Sequence, residues 1–545
     1  MYCHIERFAI LCGFLPLIIG CKTIRQEQVE KTKKPNILIF FTDDNDFSYW
    51  GFGGGPLLSP KIDQLAKEGV TAQQFYANSS VCAPSRYTLH TGKYAGRCQS
   101  PSFREDFPIT KPYNIVWNTP LEAEVGDQSI GKYFQQEGYQ TGLVGKWHLG
   151  FEMENYGLKA SDNPFDAAVD KVLKKMQEDV EARVRSVGFD YAASIIPVNN
   201  DYHPVEALRV HNLEWLAQGA NKFLDQQTAS EDPFMLMVNI TTHHGPCHVA
   251  SLNSDVRLTS AGVVEGLDGL MTSREEIANQ IKSKGMELNF RTVGTRWTDA
   301  MVGAVLQKLE DSGQADNTIV IFTTDHNRYD GKGTVYQGGV HIPFIIKYPG
   351  VLAADSQSSQ VFSMVDVMPT LLDAVGATPP ENIDGKSIWP QLTKKSANIE
   401  RSVYLEMGYA RGLLKGNKKY ITFRYPEDLL QKMKNNEVTE AFDYKGSLQD
   451  TPEVVRYGHY FDSEQFYLID EDNQESKNRI QDPEHQEEIK AMKAELTTML
   501  SSFENPYPID RPIDHFLLSK TYQQMKDSAK SLKMDQYYWY REMCY

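Results

Sequence analysis

Cysteine is scarce in this chain, with seven residues among 545. That is too few for a disulfide-stapled scaffold, so the fold must rest on hydrophobic cores. An excess of basic charge is also lacking: 56 Lys and Arg face 72 Asp and Glu, for a formal charge of −16. This excludes nucleic acid as a partner, because phosphate binding wants a basic surface. An acidic protein can still act on anions when a few local cations focus them into a cleft. Internal repeats and long low-complexity tracts are missing, which excludes a solenoid. Beyond the first twenty residues no segment is apolar enough to cross a membrane. The length exceeds what one core organises, so two domains are expected, one large and one small.

The one short apolar run, Phe8-Ala9-Ile10-Leu11 through Leu17-Ile18-Ile19-Gly20, follows a weak basic region at Arg7. It is too short to span a bilayer comfortably and reads as a signal peptide over residues 1–20. It ends in Ile18-Ile19-Gly20-Cys21, which resembles a bacterial lipobox. That resemblance implies lipidation of Cys21, with residues 21–34 as a polar linker. The expectation is an exported lipoprotein of the periplasm or cell surface, touching membrane only through its lipid. Cys3 and Cys12 leave with the signal. Cys98, Cys247 and Cys544 allow one disulfide, and the sequence leaves the pairing open.

Pro35-Asn36 leads into Ile37-Leu38-Ile39-Phe40-Phe41, an apolar run of strand length. Such a run fits a strand buried on both faces, the habit of parallel sheets covered by helices. Similar runs recur at 140–145, 234–240 and 318–323, with amphipathic helical stretches at 129–137, 208–227 and 296–312 between them. The alternation predicts an α/β fold with a large, mostly parallel sheet flanked by helices over residues 35–400. Residues near 151–205 read as an insertion, with a charged helix at 166–185 and a loop at 197–203. In that loop Asn200, Asp201 and His203 could line a sugar subsite, although loop residues of this kind are commonly just solvated. Past residue 400, short alternating strands near 403–406, 412–414, 419–423 and 465–468 precede a helix at 483–500. They predict a smaller C-terminal antiparallel sheet with a helix on it, over 401–545. The aromatic tail Tyr537-Tyr538-Trp539-Tyr540 reads as core packing or a subunit contact.

Each strand run ends in polar or ionisable residues, and open α/β sheets place their sites beyond the carboxyl ends of the strands. Four clusters should therefore converge. Asp43-Asp44 follows the first strand and Asp325-His326 the fourth. An Asp pair after one strand is ordinarily a turn or a helix cap. Carboxylates converging from two strand ends repel unless a cation sits between them, and hard oxygen ligands favour calcium over magnesium. Gly145-Lys146-Trp147-His148-Leu149-Gly150 makes a tight cationic loop, read by structure alone as a turn with an exposed lysine. Thr241-Thr242-His243-His244-Gly245-Pro246 and Gly331-Lys332-Gly333-Thr334 complete the set. Cys82-Ala83-Pro84-Ser85-Arg86, after the polar turn Asn78-Ser79-Ser80, reads as a helix start with Pro84 in its first turn. The helix N-terminus favours the anionic form of a cysteine there.

The C-x-P-S-R pentapeptide, with Thr91-Gly92-Lys93 beyond it, resembles the signature of the type I sulfatases, within the alkaline phosphatase-like superfamily. The resemblance runs in order over residues 35 to 350. It implies that Cys82 is oxidised to formylglycine by a formylglycine-generating or sulfatase-maturing enzyme. It further implies that Asp43, Asp44, Asp325 and His326, with the modified Cys82, hold one calcium ion. Family members mostly carry asparagine where His326 stands, and an imidazole is a softer ligand. By the same resemblance Arg86, Lys146 and Lys332 hold sulfate, and His148 takes the proton that lets a covalent sulfate intermediate collapse. His244 protonates the leaving oxygen, while His243 reads as a packing residue. Gln337 and His341 depart from the glutamate and arginine usual in the family. The implied activity is hydrolysis of sulfate monoesters on a sulfated polysaccharide or oligosaccharide. A phosphate or phosphonate ester hydrolase of the same superfamily, or a surface glycan-binding protein whose cysteine stays reduced, are the alternatives.

Overall fold

The computed structural model describes residues 33–109, 119–122, 128–150, 156–328, 331–425, 457–460, 462–505 and 507–511, with positions 427, 431, 434 and 435. The signal peptide, Cys21, most of the linker, Cys544 and the aromatic tail lie outside the described residues. Among the described residues no helix is long and apolar enough to cross a membrane.

Eight strands form the large sheet: β1 (Asn36–Thr42), β2 (Val70–Ala72), β3 (Gln140–Lys146), β4 (Tyr191–Ile196), β5 (Phe234–Asn239), β6 (Thr318–Thr324), β7 (Phe344–Lys347) and β8 (Ser356–Ser358). Their order is β8-β2-β7-β6-β1-β5-β3-β4, parallel throughout except for the antiparallel β7. Successive side chains of a strand point to opposite faces. Ile37, Ile39, Phe41, Met235 and Ile321 accordingly enter one core, and Leu38, Phe40, Leu236, Val238 and Phe322 the other. Both faces are buried, which is why these strands read as unbroken apolar runs rather than alternating ones.

The first core is closed by α2 (Cys82–Thr91), α3 (Ile130–Gln136) and α4 (Ala167–Ser186), the second by α1 (Pro60–Lys67), α5 (Leu213–Gln227) and α6 (Phe290–Asp311). Two helix starts differ from the sequence expectation. The α5 helix begins at Leu213 rather than 208, because the Asn212 side chain accepts from the Trp215 N–H at 2.8 Å and caps it there. The α6 helix begins six residues before 296, closed by a reciprocal cap in which Asn289 accepts from Thr292 N–H and Thr292 Oγ1 accepts from Asn289 N–H. Its first two turns hold Thr292, Gly294 and Thr295, poor helix formers, and burial of Phe290 and Val293 overrides that preference.

The stretch 151–205, read from sequence as an insertion, supplies β4, an edge strand parallel to β3. Register slips between Val144 and Lys146 along that pairing, at Gly145, which has φ +95°. A Cβ on Gly145 would sit 2.0 Å from the Asn239 carbonyl oxygen, so only glycine fits. Such a bulge re-aims the next side chain. Lys146 is the last residue of β3 and is fully buried, unlike the exposed turn lysine of the purely local reading.

The smaller sheet is an antiparallel meander of β9 (Ser402–Met407), β10 (Ala410–Lys415), β11 (Lys418–Phe423) and β12 (Glu464–Leu468). One face packs on α7 (Gln486–Leu500) through Leu413, Tyr420, Phe466, Met492 and Leu496. The other face packs on Val81, Val335, Tyr336 and Val340. Residues 78–80, just before α2, are pinned between the two sheets. Asn78 Nδ2 donates to the Tyr404 carbonyl at 2.7 Å, and its Oδ1 accepts from Val365 N–H at 3.1 Å. Ser79 Oγ donates to the Glu406 carbonyl at 2.9 Å, and the Ser80 carbonyl accepts from Gly333 N–H at 3.1 Å. The Asn78 and Ser79 side chains therefore serve tertiary bonds rather than helix capping, and the N-cap of α2 is Val81, which makes no side-chain cap. Asn78→Ala strands two fully buried backbone groups, and we expect it to lower unfolding free energy by about 2–4 kcal/mol, read by urea denaturation.

Candidate active site

The adjacent strands β6, β1, β5 and β3 run in one direction, so their carboxyl ends share one edge of the sheet. Thr42 pairs with Thr324, and Phe41 and Gly145 both pair with Asn239. The chain beyond each strand stays tied to its neighbour. Asp43 N–H donates to the Thr242 carbonyl at 3.2 Å, Asp325 N–H to the Thr42 carbonyl at 3.2 Å, and Asn45 N–H to the His326 carbonyl at 3.1 Å. Asp43, Asp44 and Asp325 are thereby brought together with essentially no exposure to water. Asp44 (φ 56°) and His148 (φ 53°) occupy the left-handed region that non-glycine residues rarely adopt, a strain that clusters at functional sites.

Cys82, at the first turn of α2, places its sulfur 3.3 Å from Asp43 Oδ1 and 3.4 Å from His326 Nε2. One turn on, Arg86 sits behind it, fully buried over the Phe41 ring at 4.9 Å. The Arg86 guanidinium donates to Asp325 Oδ2 at 3.1 Å and to the Lys146 carbonyl at 3.3 Å, and it lies 3.8 Å from Asp43 Oδ1. Lys146 Nζ pairs with Asp43 Oδ2. Lys332 Nζ donates to both oxygens of Asp44, at 2.6 and 2.9 Å, and Arg328 approaches the same carboxylate at 3.4 Å.

Burial opposes ionisation of Asp43, yet the Lys146 and Arg86 charges hold it well below the usual carboxylate range. Burial, together with the Asp43 charge, pushes Asp325 well above that range. Although burial disfavours its charged form, Asp325 and Cys82 push His326 up to about 9. Cys82 is lowered: burial and Asp43 work against the thiolate, and Lys146 and Lys332 outweigh them.

A divalent cation fits this donor set. Ligand atoms of Asp43, Cys82, Asp325 and His326 all lie within 4.8 Å of one another. The Nδ1 of His326 donates to the Asn327 carbonyl at 2.7 Å, which turns Nε2 toward the carboxylates and fixes the ligating nitrogen. Asp44 stands outside that group of four, with Oδ1 3.3 Å from His326 Nε2 and both oxygens engaged by Lys332.

Two histidines face the same space. His148 has an enclosed Nδ1 with no hydrogen-bond partner, and burial and Lys146 hold it well below its ordinary value. His244 is held low by burial and Lys146 as well, with Nδ1 3.3 Å from the Gly245 carbonyl and 4.0 Å from Asp201 Oδ1. Its own carbonyl accepts from His211 and His248, each at 3.0 Å. His243 points the other way, bonded to Thr295 Oγ1 at 2.9 Å and edge-on to Tyr49 and Trp50. Gln337 and His341 are also directed away: the Gln337 N–H reaches Glu475, and the His341 ring stacks on Phe47 and bonds the Gln73 carbonyl at 2.9 Å. Cys98 is a free thiol, and Cys247 is disulfide-bonded to a partner outside the described residues.

Two residues of the site were missed in the sequence. Arg328 had a local signal, a cation three places past Asp325. His211 had none, because only the tertiary path of 197–211 sets it against His244, as it does Asp201, which the sequence named only within a loop that could line a sugar subsite.

Comparison with known proteins agrees with this architecture. The Sulfatase family profile matches residues 35–377, and a profile described as N-sulphoglucosamine sulphohydrolase, C-terminal, matches 324–445. A protein named ulvan-active sulfatase from Formosa agariphila is 26% identical over 408 residues, 70% of each chain. N-acetylgalactosamine-6-sulfatase of Mus musculus is 26% identical, with 69% of each chain covered. N-acetylglucosamine-6-O-sulfatase of Bacteroides thetaiotaomicron is 24% identical over 72% of this chain and 77% of that protein. Among solved structures, Ps i-CgsB in complex with k-i-k-neocarrahexaose superposes with a TM-score of 0.59 at 19% identity, covering 92% of this chain and 100% of that one.

The histidines buried around the site carry a testable consequence. Burial lowers His90 and His243 to about 3 and His211 to about 4, from an ordinary 6.5. Below pH 6.5 the unfolded chain therefore binds more protons than the folded one. The stabilisation is complete above pH 6.5 and is lost as pH falls toward 4 and then 3. Urea midpoints should drop steadily from pH 7 to pH 5, and His90→Leu should flatten that slope.

Proposed function

The chain belongs to the sulfatase family and hydrolyses sulfate esters, and on that premise we propose that its substrate is a sulfated polysaccharide or oligosaccharide, with Cys82 carried as formylglycine and one calcium ion at the Asp43 cluster. The observation that carries this reading is the meeting of Cys82 with Asp43, Asp325, His326, Arg86 and Lys146 in one buried place. The glycan substrate is supported by relatives whose names specify ulvan, N-acetylgalactosamine 6-sulfate and N-acetylglucosamine 6-sulfate.

Formylglycine supplies, as its hydrate, a nucleophilic oxygen at the place of the Cys82 sulfur, and calcium supplies charge that favours its ionised form. Asp43, Asp325 and His326 would hold the ion, and Asp44 flanks them. The cations of this chain do the rest of the electrostatic work. Arg86 is locked by Asp325 and the Lys146 carbonyl, so it needs no reorganisation to face growing negative charge. Lys146 and Lys332, paired with Asp43 and Asp44 beside Cys82, neutralise sulfate oxygens. His244 Nδ1 faces the Gly245 carbonyl, which leaves Nε2 to carry the proton for the departing sugar oxygen. Burial and then Lys146 oppose that protonation, and an anionic sulfate ester beside Lys146 offsets the Lys146 part. The unpartnered Nδ1 of His148 is the atom available to take a proton from the nucleophilic group.

Cys82→Ala should reduce sulfate release from ulvan oligosaccharides and from the two N-acetylhexosamine 6-sulfates to background. The Cys82 peptide from protein produced with a maturing enzyme should show the mass deficit of aldehyde formation. Full activity in Cys82→Ala would sink the reading. Calcium added to chelator-treated protein should raise its melting temperature, and Asp325→Ala should abolish that rise.

A further inference from the structure

The turn Asn199–Tyr202 follows β4 and stands at the rim of the site. Two backbone bonds fix it there: Trp147 N–H donates to the Ile196 carbonyl and His148 N–H to the Pro197 carbonyl, both at 2.9 Å. The loop that bears Lys146 and His148 is thus laced to the residues that open the turn. Further bonds brace the turn from behind. Asn200 Nδ2 donates to the Val210 carbonyl at 2.7 Å, Tyr202 N–H to the Asn199 carbonyl at 3.0 Å, and His203 N–H to the Asn200 carbonyl at 3.1 Å. The His203 ring accepts from Val205 N–H at 3.1 Å and lies 3.2 Å from the Ser260 carbonyl, while Arg209 Nε donates to the His203 carbonyl at 2.9 Å.

The Asp201 and Tyr202 side chains take no part in this bracing. The Asp201 carboxylate projects toward His244, its Oδ1 enclosed, without a hydrogen-bond partner, and 4.0 Å from His244 Nδ1. That gap is too long for a hydrogen bond, so the carboxylate does not orient the histidine directly. Burial raises the Asp201 carboxyl, and the Lys146 and Lys332 charges oppose that rise. The next residue, Tyr202, is 66% exposed, the most exposed of the large apolar side chains in the described structure. It follows Asp201 directly, on the turn laced to the loop of Lys146 and His148. An enclosed acceptor left unpaired costs stability, and an aromatic ring held in water gains nothing from folding. Both are explained when a ligand with hydroxyl donors and an apolar face occupies the space between them.

We propose that Asp201 and Tyr202 form the subsite for the sugar that carries the sulfate, Asp201 accepting a hydrogen bond from a ring hydroxyl near the ester and Tyr202 covering a face of the ring. The inference rests on the sulfatase reading and deepens it. It assigns the choice of sugar to a turn outside the sulfate-holding cations. A site built to bond a substrate hydroxyl discriminates strongly against a substrate that lacks it.

The test compares the sulfated sugar that the wild-type enzyme hydrolyses best, among ulvan oligosaccharides and the N-acetylhexosamine 6-sulfates, with 4-nitrophenyl sulfate, which has no sugar hydroxyl. Asp201→Ala should lower the ratio of kcat/KM for the sugar over that for the aryl ester at least tenfold. Tyr202→Ala should raise KM for the sugar, and Tyr202→Phe should restore it, since the ring and not the hydroxyl covers the sugar. An unchanged ratio in Asp201→Ala, or equal loss in Tyr202→Phe and Tyr202→Ala, overturns the assignment while leaving the sulfatase reading intact. A matured wild-type enzyme that releases sulfate from none of these esters overturns the sulfatase reading itself.

Discussion

Three carboxylates are crowded at the end of β1 and β6 in a place from which water is excluded, and the rest of the molecule is arranged to make that tolerable. Two like charges about 4 Å apart repel by about 4 kcal/mol even at an effective dielectric near 20. Removing each from water adds a desolvation cost of several kcal/mol. The protein answers with Arg86, Lys146, Lys332 and Arg328, the last two on the loop after β6, and by shifting Asp325 and His326 toward their protonated forms. The crowding of ligand atoms within 4.8 Å of one another marks a position suited to a metal ion. A divalent cation supplies the same charge at shorter range and leaves the carboxylates ionised.

Holding such a cluster requires backbone that cannot relax. The parallel strands β6, β1, β5 and β3 are buried on both faces, and the loops beyond them are cross-bonded to one another rather than to water. The segment before Cys82 is held from the opposite side by β9 and by the Gly333 loop. The smaller sheet is therefore part of the site's support as well as a core of its own. It fixes the height at which α2 presents Cys82 and Arg86, and it backs the loop that carries Lys332.

Much of the site was legible in the chain because its chemistry is carried by short contiguous motifs. The peptide Cys82–Arg86 puts thiol and guanidinium on one helix face, one turn apart, and Asp43 and Asp325 each follow an apolar run whose length marks a strand. What could not be read depends on contacts between distant segments. Lys146 looked like an exposed turn residue, and only the bulge at Gly145 against Asn239 turns it inward. The polar run 78–80 read only as a turn, and the Asn78 and Ser79 side chains bond carbonyls of the other sheet. The strand 191–196 was hidden inside an apparent insertion, since an edge strand of mixed exposure lacks the unbroken apolar signature of the central ones. The same blindness covers His211, whose neighbour His244 is more than thirty residues away in the chain.

By itself the sequence determined the α/β class and the chemistry of the strand-end residues, because burial periodicity and local motif spacing are properties of contiguous residues. Only the tertiary structure decided which charges face one another, where His243 and His244 part company, and which loops are laced to one another. Those outcomes follow from distances of three to four ångströms between segments far apart in the chain, and electrostatic energy varies too steeply with distance and burial for spacing along the chain to predict it.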